Sequence, residues 1–183
     1  MNLACKIVAG LLFWYLSTFF LNGQAAPTAS RMFNLKYQVG VAGTQVNTDF
    51  TPGNDRGIVI YGDLDITRNL GVEALFRNAS FVTPTDFGIN NYLVGPRVSF
   101  HRGRFTPYAK FLLGYGINNY QKGFYPSESS EHHRMYAFGG GIDLLATSHI
   151  NVRLFDFEHQ VWPGFRDHGL TPNSESIGVA YRF

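Results

Sequence analysis

The chain has 183 residues, about the length of one domain, and its formal net charge of +2 provides no strongly basic field for a nucleic-acid partner. Charged residues make up only 15% of the chain, against roughly 25% in ordinary soluble domains, whereas aromatic residues reach 16%. The mean hydropathy of -0.08 argues against a bundle of membrane helices, but a membrane β-barrel also averages near neutral.

The amino-terminal stretch, residues 1–25, predicts a cleavable secretory signal peptide. Lys6 precedes an apolar run at residues 7–21, and small or polar residues follow as far as Ala25. The run is shorter than the roughly 20 residues that a spanning helix needs, which argues against a membrane anchor. Cleavage near Ala25 would remove Cys5, the only cysteine, and would leave residues 26–31 as a short periplasmic leader.

Eight later segments alternate between apolar and polar side chains, the period typical of β-strands. The predicted strands are residues 32–46, 58–67, 70–79, 90–101, 104–120, 135–145, 149–161 and 174–183. In the seventh strand the alternation slips by one residue, which predicts a β-bulge near Leu154 and Phe155. In the eighth, Ile177, Val179, Tyr181 and Phe183 share one face.

The predicted connections alternate in length. They are short after strands 2, 4 and 6 and longer after strands 1, 3, 5 and 7, as in barrels with short periplasmic turns and long outer loops. We therefore predict an all-β fold: an eight-stranded antiparallel up-and-down transmembrane β-barrel over residues 32–183, preceded by the signal peptide. Strand 8 must pair with strand 1 to close it.

The two faces of the predicted strands differ in charge and in bulk. Large aromatic residues fill one face, whereas glycine and alanine concentrate on the other, as a narrow lumen requires. A soluble lipocalin-like barrel is the alternative, but it would have to fit the aromatic face inside. The polar face holds six basic and six acidic residues: Lys36, Asp63, Asp65, Glu73, Arg77, Arg97, Lys110, Asp143, Arg153, Asp156, Glu158 and Arg182.

An eight-stranded barrel is just wide enough to be filled by its own side chains. We therefore interpret these twelve charges as a structural salt-bridge network in the lumen, because buried charges need partners. A conducting pore is the alternative. Trp162 and Tyr120, near the outer strand ends, are interpreted as interfacial girdle or loop-packing residues.

Four segments carry a family resemblance, at residues 92–97, 105–108, 139–143 and 176–183. Through them the chain resembles the small eight-stranded outer-membrane β-barrel proteins of Gram-negative bacteria, the OmpA/OmpX-like group, over about residues 30–183. The resemblance implies location in the cell outer membrane. It implies contact with outer-membrane lipid and lipopolysaccharide. It also implies that Tyr181 and Phe183 form an assembly signal for the barrel-assembly machinery. We expect a monomer.

An enzymatic reading has few residues to support it. A lipid A deacylase needs a serine, a histidine and a carboxylate held together near the outer rim. The candidates are Ser129, Ser130, Glu131, His132, His133, Glu158 and His159, but neighbours in one loop do not make a triad. We predict no catalytic residue, cofactor or metal site. The expected function is non-enzymatic, either envelope-structural or in surface contact. The alternatives are a narrow channel or route for small hydrophobic molecules and, third, a lipid A-modifying enzyme.

Overall fold

A computed structural model describes residues 35–49, 52–82, 87–120 and 129–183 of the chain. The strands are β1 Lys36–Asn47, β2 Asn54–Asp65, β3 Leu70–Val82, β4 Phe87–Ser99, β5 Phe105–Tyr120, β6 Ser129–Leu145, β7 Ile150–Val161 and β8 Asn173–Arg182. Each pairs antiparallel with its sequence neighbours, and β8 pairs with β1, so the predicted closed eight-stranded barrel is confirmed. The predicted signal peptide and leader lie outside the described residues. Within the described ranges no helix is long and apolar enough to span a membrane.

The alternation of side chains sets which residues face the lumen. In β1, Gln38 and Thr44 are buried, whereas Tyr37, Val39 and Val41 are exposed on the outer wall. The same parity runs around the barrel and produces an outer band of exposed apolar side chains, here termed the apolar belt. It includes Tyr37, Val39, Val41, Ile60, Leu64, Leu70, Tyr92, Val94, Val98, Phe105, Phe111, Leu113, Tyr115, Tyr136, Phe138, Ile142, Leu154, Phe155, Ile177, Val179 and Tyr181.

The barrel has a turn end and a loop end. The turn end carries the connections at residues 66–69, 100–104 and 146–149, and the loop end carries the other four. Threonine hydroxyls fix two of the turns: Thr67 Oγ1 accepts the Leu70 N–H, and Thr147 Oγ1 accepts the Ile150 N–H, both at 3.0 Å. In the third turn Gly103 has φ of 62°, a left-handed conformation that glycine adopts without strain.

Several strands run further toward the loop end than the sequence predicted. β2 begins at Asn54 rather than at residue 58, and β6 begins at Ser129 rather than at residue 135. β3 and β4 extend to Val82 and Phe87, so the long loop predicted between them is wrong. The extensions of β2 and β6 are polar and lie beyond the apolar belt, whereas that of β3 carries the exposed apolar residues Phe81 and Val82. Because both faces of the β2 and β6 extensions carry polar residues, no apolar period marks these two extensions as strand.

The predicted bulge in β7 is confirmed. Leu154 and Phe155 are both exposed on the outer wall, while Arg153 and Asp156 on either side of them are buried in the lumen. The register of β7 against β8 shifts between Arg153 and Asp156. The bulge therefore keeps the later charged residues of β7 inside the barrel.

Candidate functional site: a filled and capped lumen

Nine of the twelve predicted lumen charges are buried together inside the barrel. Their side chains come from six strands, β2 to β7, and each is at most 4% exposed. We refer to them as the charge network: Asp63, Glu73, Arg77, Arg97, Lys110, Asp143, Arg153, Asp156 and Glu158. The strands place them there because each occupies an inward position of its own alternation.

Lys110 is the centre of one half of the charge network. Its Nζ lies 2.7 Å from Glu73 Oε1, 2.7 Å from Glu158 Oε1 and 2.8 Å from Asp156 Oδ1. Glu158 also pairs with Arg77, whose Nη2 donates to Glu158 Oε2 at 2.7 Å. One ammonium group thus contacts three carboxylates from two strands.

Two arginines organise the other half of the charge network. Arg97 pairs with Asp63 at 2.5 Å and with Asp143 at 2.6 Å. Arg153 reaches Asp63 at 3.1 Å and Asp143 at 3.3 Å, and also Glu73 at 3.0 Å. Because Glu73 contacts both Arg153 and Lys110, the two halves are continuous.

Two lumen tyrosines support the arginines. The Arg153 guanidinium lies 3.7 Å from the ring centroid of Tyr61, and that of Arg97 lies 3.9 Å from Tyr108, both within cation–π range. Tyr108 also donates its hydroxyl hydrogen to Asp156 at 2.6 Å. Gly40 makes room for Tyr61, since a Cβ there would lie 2.4 Å from the Tyr61 ring. The alternation placed both tyrosines inward but did not indicate these stacking contacts.

The other three predicted lumen charges lie apart from the charge network. Lys36 is exposed, Asp65 and Arg182 are half-buried, and none of the three forms an ion pair with any described residue. They line a small cavity of about 60 Å³ at the turn end, together with Gln38 and Asn151. The prediction that these three residues belong to the buried network is wrong, because their strands end there and water solvates their side chains.

The loop end is closed by the segment at residues 162–170, here termed the cap. Trp162, Phe165 and Leu170 are each at most 4% exposed and belong to one hydrophobic cluster with lumen residues such as Leu112 and Met135. The Trp162 N–H donates to the Leu170 carbonyl at 2.8 Å, and the Gly169 N–H donates to the Phe165 carbonyl, also at 2.8 Å. The cap is therefore a folded turn with an apolar underside.

Of the two roles predicted for Trp162 and Tyr120, the interfacial girdle is wrong and packing against a loop is confirmed. Trp162 is completely buried and its indole N–H donates to Gln160 Oε1 at 3.2 Å, while Tyr120 faces inward at 8% exposure. The indole occupies the space that Gly116 leaves free, since a Cβ there would lie 2.0 Å from the ring. A glycine at an inward position was the available signal, but its partner is distant in sequence.

Of the predicted candidates for catalysis, His133 and Glu131 meet, with 3.5 Å between Nε2 and Oε2, but the others point in different directions. His133 faces inward and packs edge-on against Phe165, with 5.3 Å between ring centroids, whereas His132 is exposed on the outer wall. Glu158 belongs to the charge network, and His159 Nδ1 lies 2.7 Å from Asn173 Oδ1 on the other side of the wall. The described atoms of these residues do not converge on one reacting position.

The proposed assembly residues, Tyr181 and Phe183, form an exposed aromatic patch at the turn end. Phe183 stacks on Tyr37 with 4.7 Å between centroids, and Tyr181 meets Phe183 edge-on at 4.9 Å. His149 stacks on the other side of Tyr181. These contacts suit an interfacial girdle, and recognition by the assembly machinery stays a prediction.

Comparison with solved structures shows the same fold. The Neisserial surface protein A, NspA, has a TM-score of 0.62 at 14% identity, with 81% of this chain and 97% of that chain covered. OprG from Pseudomonas aeruginosa has a TM-score of 0.57 at 11% identity, with 81% and 96% covered. Ail, the attachment invasion locus protein of Yersinia pestis, has a TM-score of 0.54 at 18% identity, with 81% and 97% covered.

Comparison of the sequence gives the family. No curated protein matches the chain. The family model described as "Outer membrane protein beta-barrel domain" matches residues 13–183, nearly the whole sequence. With the closed barrel and its apolar outer belt, the match identifies the chain as a member of the outer membrane protein beta-barrel domain family, located in the outer membrane of Gram-negative bacteria.

Proposed function

We propose that this protein is a non-enzymatic barrel of the outer membrane whose loop end makes surface contacts, with the barrel as a rigid support. The observation that carries the proposal is the closed lumen. The charge network fills the lumen, and Trp162 and Phe165 lie over its loop end. A lumen built in this way favours a structural role for the barrel over passage of a solute.

The feature best suited to surface contact is the part of β6 that projects beyond β7. Pairing between these strands stops at Tyr136 and Val161, whereas β6 begins at Ser129 and stays paired with β5 throughout. Within the described ranges, residues 129–135 therefore form a strand edge without a partner. Ser130, His132 and Arg134 are exposed along it. An open edge is a template for an added strand from another protein.

The direction of the free backbone groups follows from the β5–β6 ladder. Leu145 donates its N–H to the Arg104 carbonyl, and the pairing then continues to Ser129 without a register shift. Odd-numbered residues of β6 thus bond to β5, so even-numbered residues such as His132 direct N–H and C=O to the open side. One neighbour, Ail, carries attachment in its name, but at 18% identity that likeness concerns the fold alone.

Conductance separates this proposal from the channel alternative. Purified protein inserted into planar bilayers should show no steady conductance, because the charge network is buried in the lumen and the cap residues Trp162 and Phe165 are buried at its loop end. A steady single-channel conductance from the wild type would overturn the closed-lumen reading.

The lipid A of the cell tests the enzymatic alternative. Lipid A mass spectra from cells with and without the protein should be identical. A lost or gained acyl chain would instead establish an enzyme.

Surface contact is tested by a substitution at the open edge. Bacteria displaying the protein should adhere to cultured epithelial cells more than bacteria lacking it, and His132→Pro should reduce that difference several-fold. Proline removes an N–H that points away from β5, so the barrel should still fold. Lys36→Met at the turn end is the matched control and should leave adherence unchanged. Adherence equal with and without the protein would refute the proposal.

A further inference from the structure

The outer wall carries a polar cavity directly beyond the apolar belt, across β7, β8, β1 and β2. We propose that it binds the saccharide headgroup of a lipid in the outer leaflet. The cavity has a volume of about 350 Å³. We name it the amide pocket, after its lining residues Gln45, Asn47, Asn54, Phe157, Asn173 and Glu175. This site belongs to the wall and is independent of the β6 edge and of the lumen.

The strand register aligns the polar groups of the amide pocket. Asn47 lies directly opposite Asn54 on one side and Asn173 on the other. One row nearer the apolar belt, Gln45 lies opposite Glu175. Adjacent strands are about 4.8 Å apart, so the three asparagines form a row roughly 10 Å long. The pocket thus presents regularly spaced polar groups on a rigid sheet.

Much of the hydrogen-bonding capacity of the amide pocket is unused. Asn47 Oδ1 accepts the Asp49 N–H at 3.1 Å, and Asn173 Oδ1 lies 2.7 Å from His159 Nδ1. The side chains of Gln45, Asn54 and Glu175 have no hydrogen bond to any described residue. Carboxamides donate and accept at once, as do the hydroxyl groups of a saccharide. Phe157 adds an apolar surface for the carbon face of a sugar ring.

The charge of the amide pocket favours a hydroxyl-rich headgroup over a phosphate. Glu175 is the charged side chain among the lining residues, and Arg56, which lies opposite Gln45 on β2, is not one of them. A carboxylate repels a phosphate but accepts hydrogen bonds from sugar hydroxyls. Phosphate recognition would call for the opposite charge. The chemistry therefore points to the hydroxyl groups of the headgroup sugars.

The wall below the amide pocket explains why the saccharide would be attached to a lipid. Gly43 lies between Ile58 and Ile177, directly opposite each of them on the neighbouring strands. A Cβ added at Gly43 would meet no atom within 4 Å, so the wall is open there. This furrow continues into the apolar belt, where an acyl chain lies. A lipid in the outer leaflet would place its chain in the furrow and its sugars in the pocket.

The test measures lipid binding by native mass spectrometry of the purified full chain in detergent micelles. The probe is lipopolysaccharide with a short core oligosaccharide, and a phospholipid with matched acyl chains serves as reference. Wild type should retain one lipopolysaccharide molecule in preference to the phospholipid. The double variant Gln45→Ala/Asn54→Ala should weaken that binding at least tenfold. These side chains have no internal partner, so the barrel should stay folded, as checked by its heat-modifiable gel migration.

Two further variants make the test specific. Asn119→Ala removes an outward polar group at the loop end of β5, away from the pocket, and should bind like wild type. Gly43→Leu fills the furrow and should weaken binding of lipopolysaccharide but not of the released core oligosaccharide. Equal binding by wild type and Gln45→Ala/Asn54→Ala would overturn the site. If the free oligosaccharide bound as tightly as the intact lipopolysaccharide, the lipid assignment would be overturned.

Discussion

Lys110 is the cation that joins the β7 carboxylates of the charge network to Glu73 of β3. It contacts three buried carboxylates, Glu73, Asp156 and Glu158, at 2.7 to 2.8 Å. Lys110→Met keeps the length of the side chain but leaves these carboxylates short of a cation. Breaking a buried ion pair in this way costs about 3–5 kcal/mol. Urea unfolding of the barrel in lipid vesicles, followed by gel migration, should show a loss of that size.

Lys36→Met is the matched control for this prediction. Lys36 was expected to belong to the same network, but it is exposed and lies at the turn end. Its substitution should change the free energy of unfolding by less than about 0.5 kcal/mol. Equal effects of the two substitutions would mean that the ion pairs of the lumen contribute little to stability.

Asp55 gives the loop end a pH-dependent stability. It lies beyond the apolar belt, opposite Val46, and is 1% exposed, with Oδ2 free of any hydrogen bond to the described residues. Burial raises the pKa of Asp55 to about 6. The folded state then binds a proton more tightly than the unfolded state, whose carboxyl pKa is about 3.9. Its contribution to stability is therefore greatest below pH 4 and is lost as the pH rises to about 6.

The variant Asp55→Asn isolates this effect. It should be more stable than wild type at pH 7, because it buries no charge, and the difference between the two should vanish near pH 4. Urea midpoints measured between pH 4 and pH 7 give the comparison. Parallel pH profiles for the two proteins would show that Asp55 is solvated in the folded state.

At the scale of the element, the bulge in β7 lets one strand place apolar side chains on the outer wall and acidic side chains in the lumen. Leu154 and Phe155 occupy two successive outward positions, after which Asp156 and Glu158 return to the lumen. Deleting Leu154 restores regular alternation and keeps both acidic residues inward. Deleting Phe157 instead turns Glu158 from the lumen to the outer wall. The first deletion should still give a heat-modifiable barrel in outer-membrane fractions, and the second should not. Failure of both would indicate that the bulge itself is required.

The strands illustrate what the sequence predicts and where it stops. Alternation identified β1, β5, β7 and β8 and the bulge, because lipid on one side and a charged lumen on the other impose a period of two. Beyond the apolar belt water touches the outer wall, so the run from Ser129 to Arg134 carried no apolar period and looked like a loop.

The cap shows a second limit of the sequence. Trp162 lies in the lumen because Gly116, on another strand, leaves space for its indole. Such a contact depends on the register of the closed barrel, which local pattern does not specify. The alternation predicted which charged residues face the lumen, but which acid pairs with which base also depends on that register. The pairing of Lys110 with Glu73, for example, joins β5 to β3, which are not neighbours in the barrel.

For the whole molecule, the apolar belt and the polar loop end together predict how far the barrel stands out of the membrane. Asn119 on β5 faces outward beyond the belt, whereas Leu113 on the same strand lies within it. Each position is replaced by cysteine in a Cys5→Ser background. Reaction with a membrane-impermeant maleimide then shows whether that cysteine is exposed to water outside the cell. On intact cells Asn119→Cys should react, and Leu113→Cys should not.

A third cysteine fixes the orientation of the barrel. Arg102 is exposed in the turn that joins β4 to β5, at the opposite end from Asn119. If the turn end faces the periplasm, Arg102→Cys should react only after the outer membrane is permeabilised. Reaction of Arg102→Cys on intact cells, with Asn119→Cys protected, would mean that the barrel is inverted. The open β6 edge and the amide pocket would then face the periplasm, and both proposals for the outer surface would fail together.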